Sequence, residues 1–143
     1  MDIQKSLLTY IDALLRADTA LKAAMGGEVR LYPDVAPPDS EFPYLVHILQ
    51  IGIVGDYSPE ARCTYILDIW SYSPNKEESS SIRDRVMALL DGLSFSTTET
   101  SDCRLWDQTN GPVPNTTQDI WHYACQFNLR FLKDNQVGIL LRR

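Results

Sequence analysis

Two carboxylates, Asp68 and Asp107, are the residues best placed to do chemistry, and each lies in a predicted β-strand. Asp68 is flanked by apolar residues, where a charge is costly unless it is paired or solvated. Two acids on different strands could bind a divalent ion or carry out acid–base catalysis, as in a small metal-dependent hydrolase. Alternatively, Asp68 lies on a partly wet face and pairs across the sheet with Arg62, Arg104 or Arg130. We favour this alternative, because a single suspicious acid is a weak indicator of an active site.

The histidines and cysteines do not form a recognisable site. His47 and His122 both fall in predicted strands, and Cys125 follows His122 by three residues, which places the two side chains on opposite faces of a strand. An odd number of cysteines without a secretory signal argues against disulfides, so Cys63, Cys103 and Cys125 are predicted to be buried thiols. Phosphate-binding glycine loops and nucleophile elbows are missing from the sequence. We therefore predict no enzymatic activity, no cofactor and no metal site.

Length and composition indicate one globular domain spanning residues 1–143. The 143 residues are 44% hydrophobic, which is enough for a single core. The formal net charge of −6 lacks the basic footprint of a nucleic-acid reader. The sequence contains no signal peptide and no stretch long enough to span a membrane. We expect a soluble chain made in a cytoplasm.

The central stretch reads as a long strand followed by a capped helix. The strand runs from about Arg62 to Tyr72, with β-branched and aromatic residues on alternating faces. Asn75 is in the N-cap position of the predicted helix, with Glu78 three residues later, as in a capping box. Gly92 suits the C-terminal end. The apolar stripe of this helix consists of Ile82, Val86, Leu89 and Leu90.

In the N-terminal third of the chain, the sequence pattern predicts two helices, a short strand and then a proline-rich loop. Apolar spacing predicts a helix over Ile3–Ala17 and a short second helix over Thr19–Met25, capped by Asp18, although one bent helix would fit equally well. A short strand is predicted over Glu28–Tyr32. Four prolines between Pro33 and Pro43 then exclude regular structure.

The remaining strands are assigned from hydrophobicity and alternation. Tyr44–Ile53 is predicted to pair antiparallel with the central strand, with a protruding tip around Val54–Glu60. Cys103–Asp107 is a short strand, and Gln108–Gln118 is an irregular loop. The last strand, Trp121–Phe131, shows the clearest alternation of the chain.

Together these elements predict an α+β fold. We expect a mainly antiparallel sheet of four to five strands with two helices packed on one face. Residues 134–143 form an apolar tail with a basic end, which we expect either to be flexible or to dock on a neighbour.

The order of several short motifs carries a family resemblance. The motifs are Ala17 to Leu21, Val29 to Pro33 with Ala36-Pro37, Phe42 to Val46, Leu67 to Tyr72 leading into Ala88 to Gly92, and Phe127 to Phe131. Their order and spacing resemble the phage tail terminator, or tail completion, family of head–tail joining proteins.

The resemblance implies a structural virion protein. Such proteins form rings, typically hexameric, that cap the head-proximal end of the phage tail tube, stop tube polymerisation and offer a docking surface to the head connector at the neck. The implied partners are other copies of the chain, the major tail tube protein and the head connector or stopper protein. DNA passes through the lumen without specific binding, and no membrane is involved. The implied location is the virion tail, with assembly in the host bacterial cytoplasm.

The loops and the apolar tail are predicted to carry the ring and neck contacts. Trp70 is the best single anchor, because tryptophan is enriched at interface hot spots. Substituting Tyr57 or Trp70 by alanine is expected to weaken assembly and leave the fold intact. The predicted interface residues are Pro37, Phe42, Asp56, Tyr57, Trp70, Pro112, Val113, Ile139 and Leu140.

Two alternative functions remain open on the sequence. One is another neck component of the same machinery, such as a head-completion or stopper protein. The other is the small metal-dependent hydrolase that would use Asp68 and Asp107.

Overall fold

The computed structural model describes residues 3–51, 60–73, 76–114 and 117–133. Within these residues the chain forms three helices and six strands, which join in one sheet of order β1-β2-β3-β6-β5-β4. Their bounds are α1 Ile3–Ala17, α2 Thr19–Ala24, β1 Leu31–Pro33, β2 Tyr44–Ile51, β3 Glu60–Tyr72, α3 Glu77–Leu90, β4 Ser94–Phe95, β5 Thr100–Val113 and β6 Ile120–Lys133. The α+β class is confirmed, whereas the expectation of four to five strands and two helices undercounted both.

The two longest neighbouring strands, β3 and β6, form the centre of the sheet. They pair antiparallel from Glu60 opposite Leu132 to Tyr72 opposite Ile120, with no shift in register. Their alternation follows the prediction, because odd-numbered residues such as Tyr65 and Phe127 are fully buried while even-numbered residues are partly exposed. One face of the sheet therefore belongs to the core.

All three helices cover that core face. α1 buries Leu7, Ile11 and Leu15, as its apolar spacing predicted. The chain breaks at Asp18, whose side chain accepts a hydrogen bond of 2.8 Å from the amide of Leu21, so α1 and α2 are separate helices. The helix α3 contributes Ile82, Val86 and Leu90, with Leu89 only partly buried.

The start of α3 differs from the predicted capping box. Lys76 occupies the N-cap position without a side-chain cap hydrogen bond, and Asn75 lies outside the described residues. Glu78 instead accepts a 2.6 Å hydrogen bond from the hydroxyl of the buried Ser71 at the end of β3. The predicted glycine end is confirmed, since Gly92 follows the helix with φ of +83°.

The strand β1 is shorter than predicted and pairs parallel to β2, which makes the sheet mixed at this edge. The pairing is parallel because the proline-rich loop carries the chain back to the start of β1 before β2 begins, instead of forming a tight hairpin. Arg30 donates to the carbonyl of Pro43 at 3.2 Å and pairs with Glu41 at 3.1 Å, and its own carbonyl accepts from Leu45 at 2.8 Å. The antiparallel pairing of β2 with β3 is confirmed, and the predicted tip between them lies largely outside the described residues.

The strand β5 continues through half of the stretch that was predicted as a loop. Its ladder with β6 runs on from Thr109 to Val113 after an irregularity between Asp107 and Thr109. This bulge interrupts the alternation of inward and outward side chains, so the sequence pattern does not indicate a strand beyond Asp107. The short β4 pairs with β5 only near its start. Pro112 therefore lies on a sheet edge, where its missing N–H costs no ladder bond.

We predict that Asp18→Ala lowers the free energy of unfolding by about 1–2 kcal/mol, because it removes a helix cap. It also removes a bidentate pair with Arg85 of α3, with both N–O distances at 2.7 Å. Chemical denaturation checks this, with Asp12→Ala as the control. Asp12 forms an i,i+4 pair with Arg16 on the surface, so its loss should cost only about 0.3–0.5 kcal/mol.

The same ion pair sets a pH dependence. The hydrogen bond from Arg85 lowers the pKa of Asp18 below its ordinary value of 3.8. Its stabilisation is therefore present above that value and is lost as the pH falls through the lowered pKa of the folded state. If Asp18→Ala and Asp12→Ala lowered the free energy of unfolding equally, the contacts of Asp18 with α2 and α3 would not be stabilising in the way proposed.

Candidate functional site

The candidate site lies on the outer face of the sheet, which we define as the face opposite the three helices. The register aligns its residues in rows across the strands. One row runs from Tyr44 through Trp70 and His122 to Val113, and the row at the far end contains three arginines. No helix among the described elements packs on this face, and the four residues of the first row are each partly exposed.

The aromatic end of the outer face is a cluster of six rings, Tyr32, Phe42, Tyr44, Trp70, Tyr72 and His122, in which the Tyr32 ring lies edge-on to Tyr44 at 6.2 Å. Trp70 stacks on His122 with ring centroids 3.9 Å apart, and its centroid lies 6.3 Å from that of Tyr44. Phe42 packs against Tyr44 at 5.1 Å and Tyr72 at 6.0 Å. Phe42 is 36% and Tyr72 is 58% exposed, so the cluster is preorganised yet incompletely buried.

The structure brings some of the predicted interface residues together and separates others. Phe42 and Trp70 share the aromatic end, and Val113 lies opposite His122 in the register. Pro112 lies opposite Tyr123 and so belongs to the helix-covered face. Pro37 is exposed in the proline-rich loop. The remaining predicted residues, Asp56, Tyr57, Ile139 and Leu140, lie outside the described residues.

Four members of the aromatic end are absent from the predicted interface residues: Tyr32, Tyr44, Tyr72 and His122. The alternation of each strand could have indicated them, because it assigns each of these side chains to the outer face. What the sequence lacked was the register, which places Tyr44, Trp70 and His122 in one row.

The two candidate catalytic acids are on opposite faces of the sheet, so the proposed two-acid site is wrong. Asp68 is opposite Ala124 on the outer face, whereas Asp107 is opposite the fully buried Phe127 on the helix face. Directly opposed residues share a face, and the sheet therefore separates the carboxylates.

Each acid has its own structural partner. Asp68 contacts His122 Nε2 at 2.9 Å, a diagonal neighbour on β6, and none of the three arginines that were expected to pair with it. Asp107 accepts a 3.0 Å hydrogen bond from the side chain of Asn110.

The other histidine and the cysteines belong to the core. His47 Nδ1 lies 2.8 Å from the hydroxyl of Tyr65, and burial lowers the pKa of His47. The three cysteines are buried as free thiols, as predicted. Burial raises the pKa of Cys63 and of Cys125 to about 12 in each case, which keeps both thiols protonated and unreactive at neutral pH.

The arginine row forms the opposite end of the outer face. Arg62, Arg130 and Arg104 lie directly opposite one another on β3, β6 and β5. Like charges in direct opposition destabilise a sheet. Asp102 offsets part of this repulsion, since it contacts Arg104 at 3.1 Å and Arg130 at 3.0 Å. Glu60 contacts Arg62 at 3.1 Å.

The described residues contain neither a cluster of metal-ligating side chains nor a membrane-spanning helix. Across the described ranges, no group of three or more His, Cys, Asp or Glu side chains is arranged to hold a metal ion. None of the helices there has both the length and the apolar character that crossing a bilayer requires.

Among the described residues, the outer face of the sheet carries an aromatic cluster at one end and an arginine row at the other. Residues 9–131 match the model of the family described as tail completion protein gp17. This match spans most of the chain, and the chain belongs to that family of structural phage tail proteins.

The fold is also found in a solved virion. A chain of the structure described as "Virion of native gene transfer agent (GTA) particle" superposes with a TM-score of 0.73 at 16% identity. The superposition covers 91% of this chain and 94% of that chain. At this identity the likeness establishes the fold alone. No curated protein sequence matches the chain.

We predict that Asp102→Asn destabilises the protein at low salt and has a smaller effect at high salt. Its hydrogen bond with Arg104 lowers the pKa of Asp102, so the ionised carboxylate is the form that stabilises the arginine row. Salt screens the remaining arginine repulsion. The φ of Asp102 is +49°, which asparagine also tolerates, so backbone strain does not confound the test.

Urea unfolding midpoints at two salt concentrations measure this effect. Asp84→Asn is the matched control, because Asp84 is exposed and contacts only its sequence neighbour Arg83 among the described ion pairs. A salt dependence that is the same in both variants would contradict the role assigned to Asp102.

Proposed function

We propose that this protein caps the head-proximal end of a phage tail tube, stops further polymerisation of the tube and forms the docking surface for the head connector. The observation that carries the proposal is its membership of the tail completion family over residues 9–131. A protein that completes a tail must bind a finished tube end and leave it unable to add another subunit. Capping by a ring of copies, with six as the expected number, meets both requirements.

The outer face supplies a surface suited to such contacts. Interfaces are enriched in tyrosine, tryptophan and arginine, which are the residue types at its two ends. The rings of Phe42 and Trp70 are held by their neighbours before any partner arrives, so docking loses little side-chain entropy.

A closed ring requires heterologous contacts, in which two different surfaces of the same chain meet. A specific contact of this kind buries about 800 Å² on each partner. The proposed partners are other copies of the chain, the tail tube protein and the head connector or stopper protein. In this proposal DNA passes through the lumen without specific recognition, and the ring is assembled in the host cytoplasm.

Electron microscopy of particles made without this gene tests the function. We expect overlong or unfinished tails that fail to join DNA-filled heads, because nothing ends tube growth. Tails of normal length on heads that leak DNA would instead move the protein to the head side of the neck. Normal infectious particles would remove it from the neck.

Complementation with Trp70→Ala tests the aromatic end. Losing a hot-spot tryptophan costs at least about 2 kcal/mol of binding, or about 30-fold in affinity, so we expect far fewer joined particles. Trp106→Ala is the matched control, because Trp106 is a 40% exposed tryptophan on the same face but outside the cluster.

Thermal unfolding of both tryptophan variants checks that the fold is intact, and we expect each to unfold cooperatively. Equal yields of joined particles from the two variants would show that the aromatic end is not the contact surface.

A further inference from the structure

A groove on the outer face runs beside the aromatic end. It has a volume of about 250 Å³ and combines apolar walls with two carboxylates. Val35, at its rim, is 75% exposed and so offers an apolar contact to a partner. The lining residues are Asp34, Val35, Ala36, Tyr44, Val46, Asp68 and Trp70.

We propose that this groove binds the C-terminal segment 137–143 of a second copy of the chain. This proposal rests on the proposed ring and names one of its contacts. The segment, VGILLRR, provides four large apolar side chains followed by Arg142 and Arg143. The apolar residues match the walls of the groove, and the two arginines match the carboxylates of Asp34 and Asp68.

The groove and the segment 137–143 carry opposite charges, which favours contact between them. The chain as a whole carries a net charge of −6, so two adjacent copies repel each other unless basic groups meet acidic ones. The groove presents acids and the segment presents bases. Asp68 is 25% exposed at its side chain and already contacts His122, which holds the carboxylate in place for an incoming arginine.

The length of the segment indicates that it enters the groove of another copy and not its own. β6 ends at Lys133, and the position opposite Asp68 on that strand is Ala124. These positions are about 30 Å apart at about 3.3 Å per strand residue. A fully extended chain from Lys133 carries Ile139 at most about 22 Å, Leu141 about 29 Å and Arg143 about 36 Å. Several of these residues would be used to reverse direction, so the apolar part of the segment falls short of its own groove.

The same geometry makes the contact heterologous. The segment follows Lys133 at one end of the sheet and the groove lies near the other, so the donor and acceptor surfaces are distinct. Contacts between distinct surfaces join copies head to tail, as a ring of copies requires. Each copy then gives one segment and receives one.

Disulfide trapping tests the proposal directly. One protein carries Val35→Cys and a second, differently tagged protein carries Leu140→Cys, and the two are mixed under mild oxidation. The native thiols do not compete, because they are buried and Cys63 and Cys125 have raised pKa values. The control replaces Val35→Cys with Ser81→Cys, which is exposed on α3 beyond the other face of the sheet.

We expect mixed disulfide-linked dimers with Val35→Cys and a loss of that product with Ser81→Cys. The chain carrying both Val35→Cys and Leu140→Cys should give a ladder of linked chains, in purified protein at high concentration or in assembled particles. Cross-links that form only within one chain would overturn the proposal. So would the absence of linked chains in both preparations, or equal linking in the control.

A charge variant separates this inference from the proposed function. Asp34→Asn with Asp68→Asn should reduce the cross-linked product, while Asp84→Asn should leave it unchanged. Normal tail length in particles lacking the gene would defeat the capping function and leave the cross-linking result standing. Overlong tails without any cross-link would keep the function and defeat the groove.

Discussion

The pairing of β3 with β6 is the constraint on which the rest of the structure depends. Their register assigns every side chain in both strands to a face, and a slip of one residue would expose Tyr65, Phe127 and their neighbours together. Burial of each such side chain contributes about 1.5–3 kcal/mol, so the register is strongly determined. The helices then have a single apolar face to cover, and the outer face is left for other uses.

What occupies the outer face is not what stability alone would select. Three arginines lie in direct opposition, and Trp70 and Tyr72 are left partly in water. Asp102 and Glu60 reduce the repulsion without removing it, and stacking on His122 orders Trp70 without burying it. Exposed ion pairs and partly exposed rings contribute little to the stability of a single chain, and they are residue types enriched at protein interfaces. The arrangement is therefore consistent with a family whose members act in a virion.

The sequence predicted those elements whose signal is local. α1, β3, α3 and β6 each carry a complete periodic pattern, and Asp18 is a cap that needs only its own helix. The features that were predicted wrongly depend on contacts between residues far apart in the sequence. The bulge after Asp107 hid the end of β5, and the parallel pairing of β1 depends on Arg30 holding the far end of a proline-rich loop. The partner of Asp68 was missed for the same reason, since only the register brings His122 within 2.9 Å.

The groove illustrates why a site of this kind is harder to predict than a core. One wall comes from the loop after β1, and the other comes from β2 and β3, so its shape depends on how Arg30 anchors that loop. No motif encodes such a junction, because each segment alone has ordinary composition. Complementarity with the C-terminal segment becomes visible only when the carboxylates of Asp34 and Asp68 are seen to share one groove. The proposed contact joins two different surfaces of the chain, because the segment follows Lys133 at one end of β6 whereas the groove lies near the other end of the sheet.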